Sequence, residues 1–267
     1  MNQTLDISVV IPVRNAERLL EACLASVIAA RPREIVIVDG NSTDGTLDIA
    51  RRLGVTTILS DEGRGLPAAR MLGARTATSS RVLLLDADVV LPEGSLASLL
   101  AEFDEEGYTA LQAGLHSVGD GEYWGEALAY HHRTGRSKHW FGLVATIFDR
   151  EALLEHGFDS RFVSGEDIEL RWRLQQAGAR IGVSQRTIVT HRFESGFRFA
   201  LDQWLMDGNG LRRMVTKHGL RGVKLVAMPL AGALRGIALA VARRQPRWVP
   251  YFVCYGIGNY AGMLGVR

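Results

Sequence analysis

The sequence predicts an α/β fold followed by a helical C-terminal extension, and three observations carry that prediction. β-branched apolar runs alternate with amphipathic segments across about the first 195 residues. Polar residues gather at the carboxyl ends of those runs, where open α/β sheets bind ligands. After Phe197 the chain changes to basic and apolar stretches of helical character. The boundary expected from this change puts an α/β domain at residues 1–196 and a helical C-terminal region at 197–267.

Residues 7–11 are β-branched and stopped by Pro12, and Leu19, Leu20, Cys23, Leu24, Val27 and Ile28 then recur at helical spacing. Residues 34–38 repeat the strand pattern, and Asn41, Ser42, Thr43, Asp44 and Gly45 supply turn and capping chemistry before a helix over 46–53. Residues 55–59 and 82–85 are further apolar runs, with a helix predicted over 67–76 between them. Such alternation predicts a mostly parallel sheet with helices on both faces. Residues 111–138, rich in Gly, His and aromatic residues, predict irregular structure. Residues 143–148 then read as a strand, 166–176 as a helix ended by Gly178, and 180–183 with 187–190 as two short strands leading to His191.

The hydrophobic share of 47% and charged share of 22% are those of an ordinary folded protein. The net charge of +2 conceals an asymmetry: residues 197–267 hold 11 Lys/Arg against 2 Asp/Glu, leaving 20 against 27 before them. A tail that is basic and apolar together points to a membrane surface rather than to nucleic acid, which needs no long apolar runs. Cys23 and Cys254 belong to no CxxC or Cys/His cluster, so neither a disulfide framework nor a zinc site is indicated. The first residues show no basic region followed by an apolar stretch, and the expected location is cytoplasmic.

The run Leu83-Leu84-Leu85-Asp86-Ala87-Asp88 empties an apolar strand into two carboxylates one residue apart. Mg²⁺ and Mn²⁺ are held by one or two carboxylates together with substrate phosphates, although the same pattern also occurs as a capped turn. In Phe162-Val163-Ser164-Gly165-Glu166-Asp167 a glycine turn presents two acids at the start of an amphipathic helix. Acids there commonly cap the helix, and a positioned carboxylate is also what deprotonates an acceptor hydroxyl. His191, after a short strand, reads either as a nitrogen ligand for the same cation or as a hydrogen-bonded core residue.

Taken together these residues resemble the inverting family 2 glycosyltransferases with the GT-A fold, over about residues 7–196. Four stretches carry the resemblance in order: Ser8-Val9-Val10-Ile11-Pro12-Val13-Arg14-Asn15; Val36-Ile37-Val38-Asp39-Gly40-Asn41-Ser42-Thr43-Asp44-Gly45-Thr46; Leu83-Leu84-Leu85-Asp86-Ala87-Asp88; and Gly165-Glu166-Asp167. The resemblance implies that Pro12, Arg14 and Asp39 line a nucleotide base pocket and that Arg70 approaches the base or diphosphate. It implies that Asp86 and Asp88 organise Mn²⁺ or Mg²⁺ and the donor, with His191 as a further metal ligand. It also makes Asp167 the general base and Glu166 the neighbour that orients the acceptor. Arg14 departs from the aromatic residue often found two positions after the proline, which leaves the base open.

The expected partners are a nucleotide-diphosphate sugar, a hydroxyl acceptor that is lipid-linked or membrane-proximal, and the cytoplasmic face of a membrane; nucleic acid is not expected. In the tail, Lys224 and Arg235 oppose a spanning helix over 223–242, and Pro250, Asn259 and four glycines weaken one over 248–266. Helices in the interface are expected, with Arg243, Arg244 and Arg247 at headgroups and Trp248, Tyr251 and Phe252 at the boundary. The alternative is a helical subdomain packed on protein. Two other functions compete: a sugar nucleotidyltransferase, which would open with a glycine-rich phosphate loop, and a catalytically silent adaptor that keeps the fold.

Overall fold

The computed structural model describes residues 4–135, 141–162 and 164–266; Val163 of the second acidic turn, residues 136–138 of the stretch expected to be irregular, and Arg267 lie outside them. The chain packs as two compact units. One comprises Met1–His116, His139–Arg161 and Leu170–His191, the other Ser117–Lys138, Phe162–Glu169 and Arg192–Arg267. The boundary at residue 196 follows composition, whereas packing follows another line, because residues 117–138 and 162–169 join the C-terminal helices.

The strands are β1 (Leu5–Val13), β2 (Pro32–Asp39), β3 (Thr57–Ser60), β4 (Arg81–Leu85), β5 (Val89–Val90), β6 (Ala110–Val118), β7 (Ala145–Asp149) and β8 (Ile181–Arg192). They form one sheet of order β3-β2-β1-β4-β7-β6-β8-β5. Helices α1 (Glu17–Ala30), α2 (Thr46–Arg52), α3 (Leu66–Thr76), α4 (Ser95–Glu106), α5 (Tyr123–Thr134), α6 (Arg150–His156) and α7 (Glu166–Gln176) connect them. The half of the sheet built from β3, β2, β1 and β4 is parallel. Beyond β4 it is mixed, for β7 runs antiparallel to both β4 and β6, and β5 antiparallel to β8.

In the first unit β1 is buried on both faces, as a central parallel strand must be. Its side chains alternate: Ile7, Val9 and Ile11 join a core with Leu20 and Leu24 of α1, while Val10 joins a second core with Ala69 and Ala74 of α3. Burying each such Val, Leu or Ile contributes about 1.5–3 kcal/mol. Close approach of α3 to the strand requires Gly73, where a Cβ would lie 2.2 Å from Val10 Cγ1.

Two local expectations are corrected. The stretch expected to be irregular contains β6 and α5. Its polar residues conceal the strand because they are satisfied inside it: buried Gln112 accepts a 2.7 Å hydrogen bond from the Gly142 amide. The two short strands before His191 are one strand, β8. Ser184 lies within it, its hydroxyl accepting from the Thr187 amide at 2.8 Å and donating to Glu102 at 2.6 Å.

The second unit contains α5, α8 (Phe197–His218), α9 (Leu220–Val223), a 3-10 turn (Lys224–Ala227), α10 (Met228–Ala242) and α11 (Val249–Leu264). Its core is aromatic. Trp248, Tyr251 and Phe252, expected at a membrane boundary, are 4%, 0% and 1% exposed and pack with Trp204 and Tyr130. The physical reason is helix pairing: a Cβ at Gly208 would lie 1.9 Å from Asn259 O, and one at Gly262 2.2 Å from Leu205 O. Glycine therefore lets α8 and α11 touch backbone to backbone, turning those aromatic residues inward. Gly232 faces Tyr255 and Gly236 faces Phe252, so α10 and α11 form an antiparallel hairpin. One stretch among the described residues is long and apolar enough to cross a membrane, Leu220–Ala242, with 23 residues, mean hydropathy 1.9 and 28% of its apolar window buried.

Candidate active site

The parallel half of the sheet brings the sequence-predicted donor residues to the ends of β1, β2 and β4. Pro12 is buried near the end of β1, and exposed Arg14 follows it. Asp39, 6% exposed, ends β2 and accepts from the Ser42 amide at 3.2 Å. The two loops are laced together: Asn15 Oδ1 accepts from the Thr43 amide at 2.8 Å, and Ser42 Oγ accepts from the Asn15 amide at 2.9 Å. Arg14 crosses Gly40, where a Cβ would lie 3.5 Å from Arg14 Cβ. Arg14 and Asp39 are thus held side by side.

Asp61, which the sequence reading passed over, stabilises the neighbouring loop. Its carboxylate accepts from the amides of Gly63 and Gly65, both at 2.8 Å, and the side chain is buried. That turn feeds α3 and so positions Arg70. The signal was available in Asp61-Glu62-Gly63-Arg64-Gly65, where an Asp precedes two glycines that both take positive φ.

Asp86 and Asp88 follow β4, and pairing between β5 and β8 decides what stands beside them. Val89 is registered opposite His191. This brings His191 Nε2 to 3.3 Å from Asp88 Oδ2, although the two residues are about a hundred positions apart in sequence. Arg70 is 2% exposed, and its Nη2 lies 2.9 Å from Asp86 Oδ1. Burial pushes the Asp86 carboxyl up to about 6, with Arg70 opposing the rise and Asp88 adding to it. Burial alone would lower the His191 pKa, but Asp88 and Asp86 outweigh it and hold it above the usual histidine value.

Two carboxylates and an imidazole make a donor set that suits Mg²⁺ or Mn²⁺. Among the described residues no group of three or more His, Cys, Asp or Glu side chains is placed to hold a metal ion by itself. A cation that shares phosphate oxygens with its substrate needs no such cage, since one or two carboxylates suffice.

The second acidic pair belongs to the second unit. Gly165 takes a φ of 74°, and a Cβ there would lie 2.9 Å from Gly210 Cα, so the turn rests on the backbone of α8. Glu166 is buried and Asp167 half-buried in the first turn of α7, which also holds Glu169. Glu169 is fully buried and bonded to Lys217 Nζ. A further acid appears here that the sequence reading did not single out: Asp207 keeps an exposed surface, yet protein crowded around its carboxyl and the nearby Glu166 push it up to about 6. Trp204 is core at 1% exposure.

The sequence profile described as Glycosyl transferase family 2 matches residues 8–158, from β1 through α6 and so across both acids after β4. The chain belongs to glycosyl transferase family 2. It is 27% identical over 276 residues to a pre-mycofactocin glycosyltransferase of Mycobacterium tuberculosis, covering 97% of this chain and 55% of that protein. The family 2 chain thus spans about half the length of that relative. It is 29% identical to the succinoglycan biosynthesis protein ExoA of Rhizobium meliloti, covering 96% of this chain and 85% of ExoA. Among solved structures it resembles the mannosyltransferase PcManGT from Pyrobaculum calidifontis, in complex with GDP-Man and Mn²⁺. There the TM-score is 0.69 at 20% identity, covering 98% of this chain and 88% of the other. At that identity the likeness concerns the fold, which is GT-A as the sequence led us to expect.

Proposed function

We propose that this chain is an inverting glycosyltransferase that moves a sugar from a nucleotide-diphosphate donor to an acceptor hydroxyl, using Mn²⁺ or Mg²⁺. The observation that carries the reading is the juxtaposition of Asp86, Asp88 and His191 at the end of a parallel strand. Pro12, Arg14 and Asp39 bind the nucleotide base, the guanidinium of Arg14 offering a plane or hydrogen bonds to it. Asp86 and Asp88, with His191 beside Asp88, would hold the cation, and Arg70 fixes the orientation of Asp86. When bound, the cation acts as a Lewis acid that offsets the charge of the departing diphosphate. Asp167 accepts the proton of the acceptor hydroxyl as that oxygen bonds to the anomeric carbon, and the bond to the nucleotide diphosphate breaks with inversion. Glu166 orients the acceptor. The mannosyltransferase bound to GDP-Man and Mn²⁺ supports the donor class and the cation for this chain.

In this reading the reaction runs at the cytoplasmic face of a membrane, with a lipid-linked or membrane-proximal acceptor, and the second unit makes the attachment. Support comes from the large apolar side chains that face outward: Leu220 is 91% exposed, Leu234 59% and Ile257 66%. Arg243, Arg244 and Arg247 are exposed around the turn between α10 and α11, ready for anionic headgroups. Arg235, the charge in the middle of α10, donates to Thr134 O at 3.0 Å and is accommodated on protein. The helices lie in the interface rather than across it.

A thermal-shift screen of nucleotide diphosphates and their sugars, with and without Mn²⁺, tests the donor reading, because a ligand of the native state raises stability by mass action. A shift with one nucleotide that requires the cation is the expected result, and its absence across the screen overturns the reading. For the membrane, charge reversal at Arg243, Arg244 and Arg247 should abolish flotation with anionic vesicles, and flotation that survives reversal removes the electrostatic part of the proposal.

A further inference from the structure

The outward face of the α10–α11 hairpin is not flat. Between the helices runs a cavity of about 550 Å³ whose floor includes Ala233 and Gly256 and whose walls include Leu230, Leu234, Val253 and Ile257. A Cβ on Gly256 would lie 3.3 Å from Ala233 Cβ, so the floor is already closed, while the walls stand 45–66% exposed. Its lining runs from Phe252 to Leu264 along α11, about 18 Å at 1.5 Å per residue. Tyr260 also lines the cavity, but its hydroxyl donates to Val226 O at 2.9 Å and is spoken for. The volume is that of a small-molecule site. The shape is long, and the chemistry is apolar.

We propose that this groove binds the hydrocarbon chain of a lipid-linked acceptor; the proposal rests on the glycosyltransferase and membrane readings above and names the part of the substrate they leave undefined. Two observations choose this occupant. The lining is apolar apart from the engaged Tyr260 hydroxyl, and on a face lying in the interface as proposed above such a groove fills with hydrocarbon, since water finds no hydrogen-bond partner there. From Leu220 to the end the sequence holds seven Lys/Arg and no Asp/Glu, so a second copy docking hairpin to hairpin would set like charge against like. The same charge favours a lipid whose head carries phosphate. Arg243, Arg244 and Arg247 surround the turn at one end of the hairpin, and exposed Arg221 and Lys224 precede the other.

The test uses the full chain on phosphatidylcholine/phosphatidylglycerol vesicles containing a trace of hexadecyl phosphate with a photoactivatable diazirine in its chain. The expected result is labelling of the floor at Ala233 and Gly256 that unlabelled hexadecyl phosphate displaces and excess phosphatidylglycerol does not. Leu234→Trp with Ile257→Trp fills the groove at two exposed positions while keeping the face apolar. That variant should float as wild type does and lose about tenfold or more of the floor labelling, because chain affinity accumulates with each buried methylene. Floor labelling that persists in the filled variant, or that phosphatidylglycerol displaces equally, overturns the groove and leaves the membrane reading standing. Wild-type protein that fails to float overturns both, and a dimer in solution whose groove is shielded from label assigns the face to a second copy instead. Retained Mn²⁺-dependent nucleotide binding in every variant shows that the glycosyltransferase reading is not what failed.

Discussion

Arg70 Nη2 lies 2.9 Å from Asp86 Oδ1, and the guanidinium is buried while 27% of the Asp86 side chain stays open. The arginine that resemblance assigned to the donor is therefore anchored first to Asp86, the leading acid of the proposed metal pair. Its helix is in turn fixed by the Asp61 turn. An acid so held keeps one oxygen committed to the guanidinium and presents the rest of its carboxylate in one orientation.

Replacing Arg70 with Met should destabilise the protein by about 2–3 kcal/mol, less than the 3–5 of a fully buried pair because Asp86 keeps some solvent. Urea denaturation measures the loss. Mn²⁺-dependent nucleotide binding should weaken as well, since Asp86 loses its orientation. A stable Met variant with wild-type affinity would make the ion pair incidental.

Asp88→Ala removes the carboxylate that His191 contacts at 3.3 Å. Calorimetry should show no cation-dependent binding of a nucleotide diphosphate, with the melting temperature in the absence of ligand little changed. Equal affinity in wild type and variant in Mn²⁺ means that the cation is held elsewhere.

Much of this geometry was legible in the sequence, and what escaped did so for definite reasons. The strands ending at Asp39 and Leu85 are continuous apolar runs, so their positions and the acids after them were readable. The partner of Asp88 was readable only as a candidate, because the β5–β8 register that delivers His191 is a long-range pairing of a two-residue strand. Arg70–Asp86 was hidden likewise, since no local pattern marks an arginine for burial. Chemistry misled once in the tail: Trp248, Tyr251 and Phe252 are interfacial residue types, yet glycines on α8 and α11 turn them into core. Asp207 escaped because its raised pKa comes first from the protein crowded around its carboxyl and then from Glu166, 41 positions away in the chain, and neither leaves a local mark.

The second unit should lose stability in mild acid through His131. Burial, aided by Arg235, pushes this pKa down to about 4 from 6.5. The ring contacts Phe252 and Tyr255, its Nδ1 lies 3.0 Å from Tyr251 Oη, and His132 adjoins it. Between pH 6.5 and 4 the unfolded chain binds a proton that the folded chain refuses, so this contribution is present above pH 6.5 and is lost on acidification. Going from pH 7 to pH 5 should cost about 2 kcal/mol through this group. Asp207, pushed up to about 6, acts with the opposite sign, so the measurement is a comparison of wild type with His131→Phe across the same pH range. An unchanged pH slope in the Phe variant would assign acid sensitivity to other groups.

Asp167→Asn separates chemistry from binding. The substitution keeps the size of the side chain and much of its hydrogen bonding at the start of α7, but the amide cannot take up the acceptor proton. Donor affinity should hold, while turnover with a genuine acceptor should fall about 10²–10⁴-fold, or about 3–5 kcal/mol of barrier. Glu166→Gln should be milder if that residue only orients the acceptor. Asp207→Asn is the necessary companion, because a carboxyl raised to about 6 lies nearer neutrality, where a general base works best. If Asp207→Asn slows transfer by orders of magnitude and Asp167→Asn does not, the base is Asp207. Asp167 then acts with Glu166 and Glu169 as a first-turn acid favoured by the helix dipole of α7. That role predicts a loss of stability on substitution rather than of turnover, so denaturation of the Asp167→Asn variant decides between the two assignments.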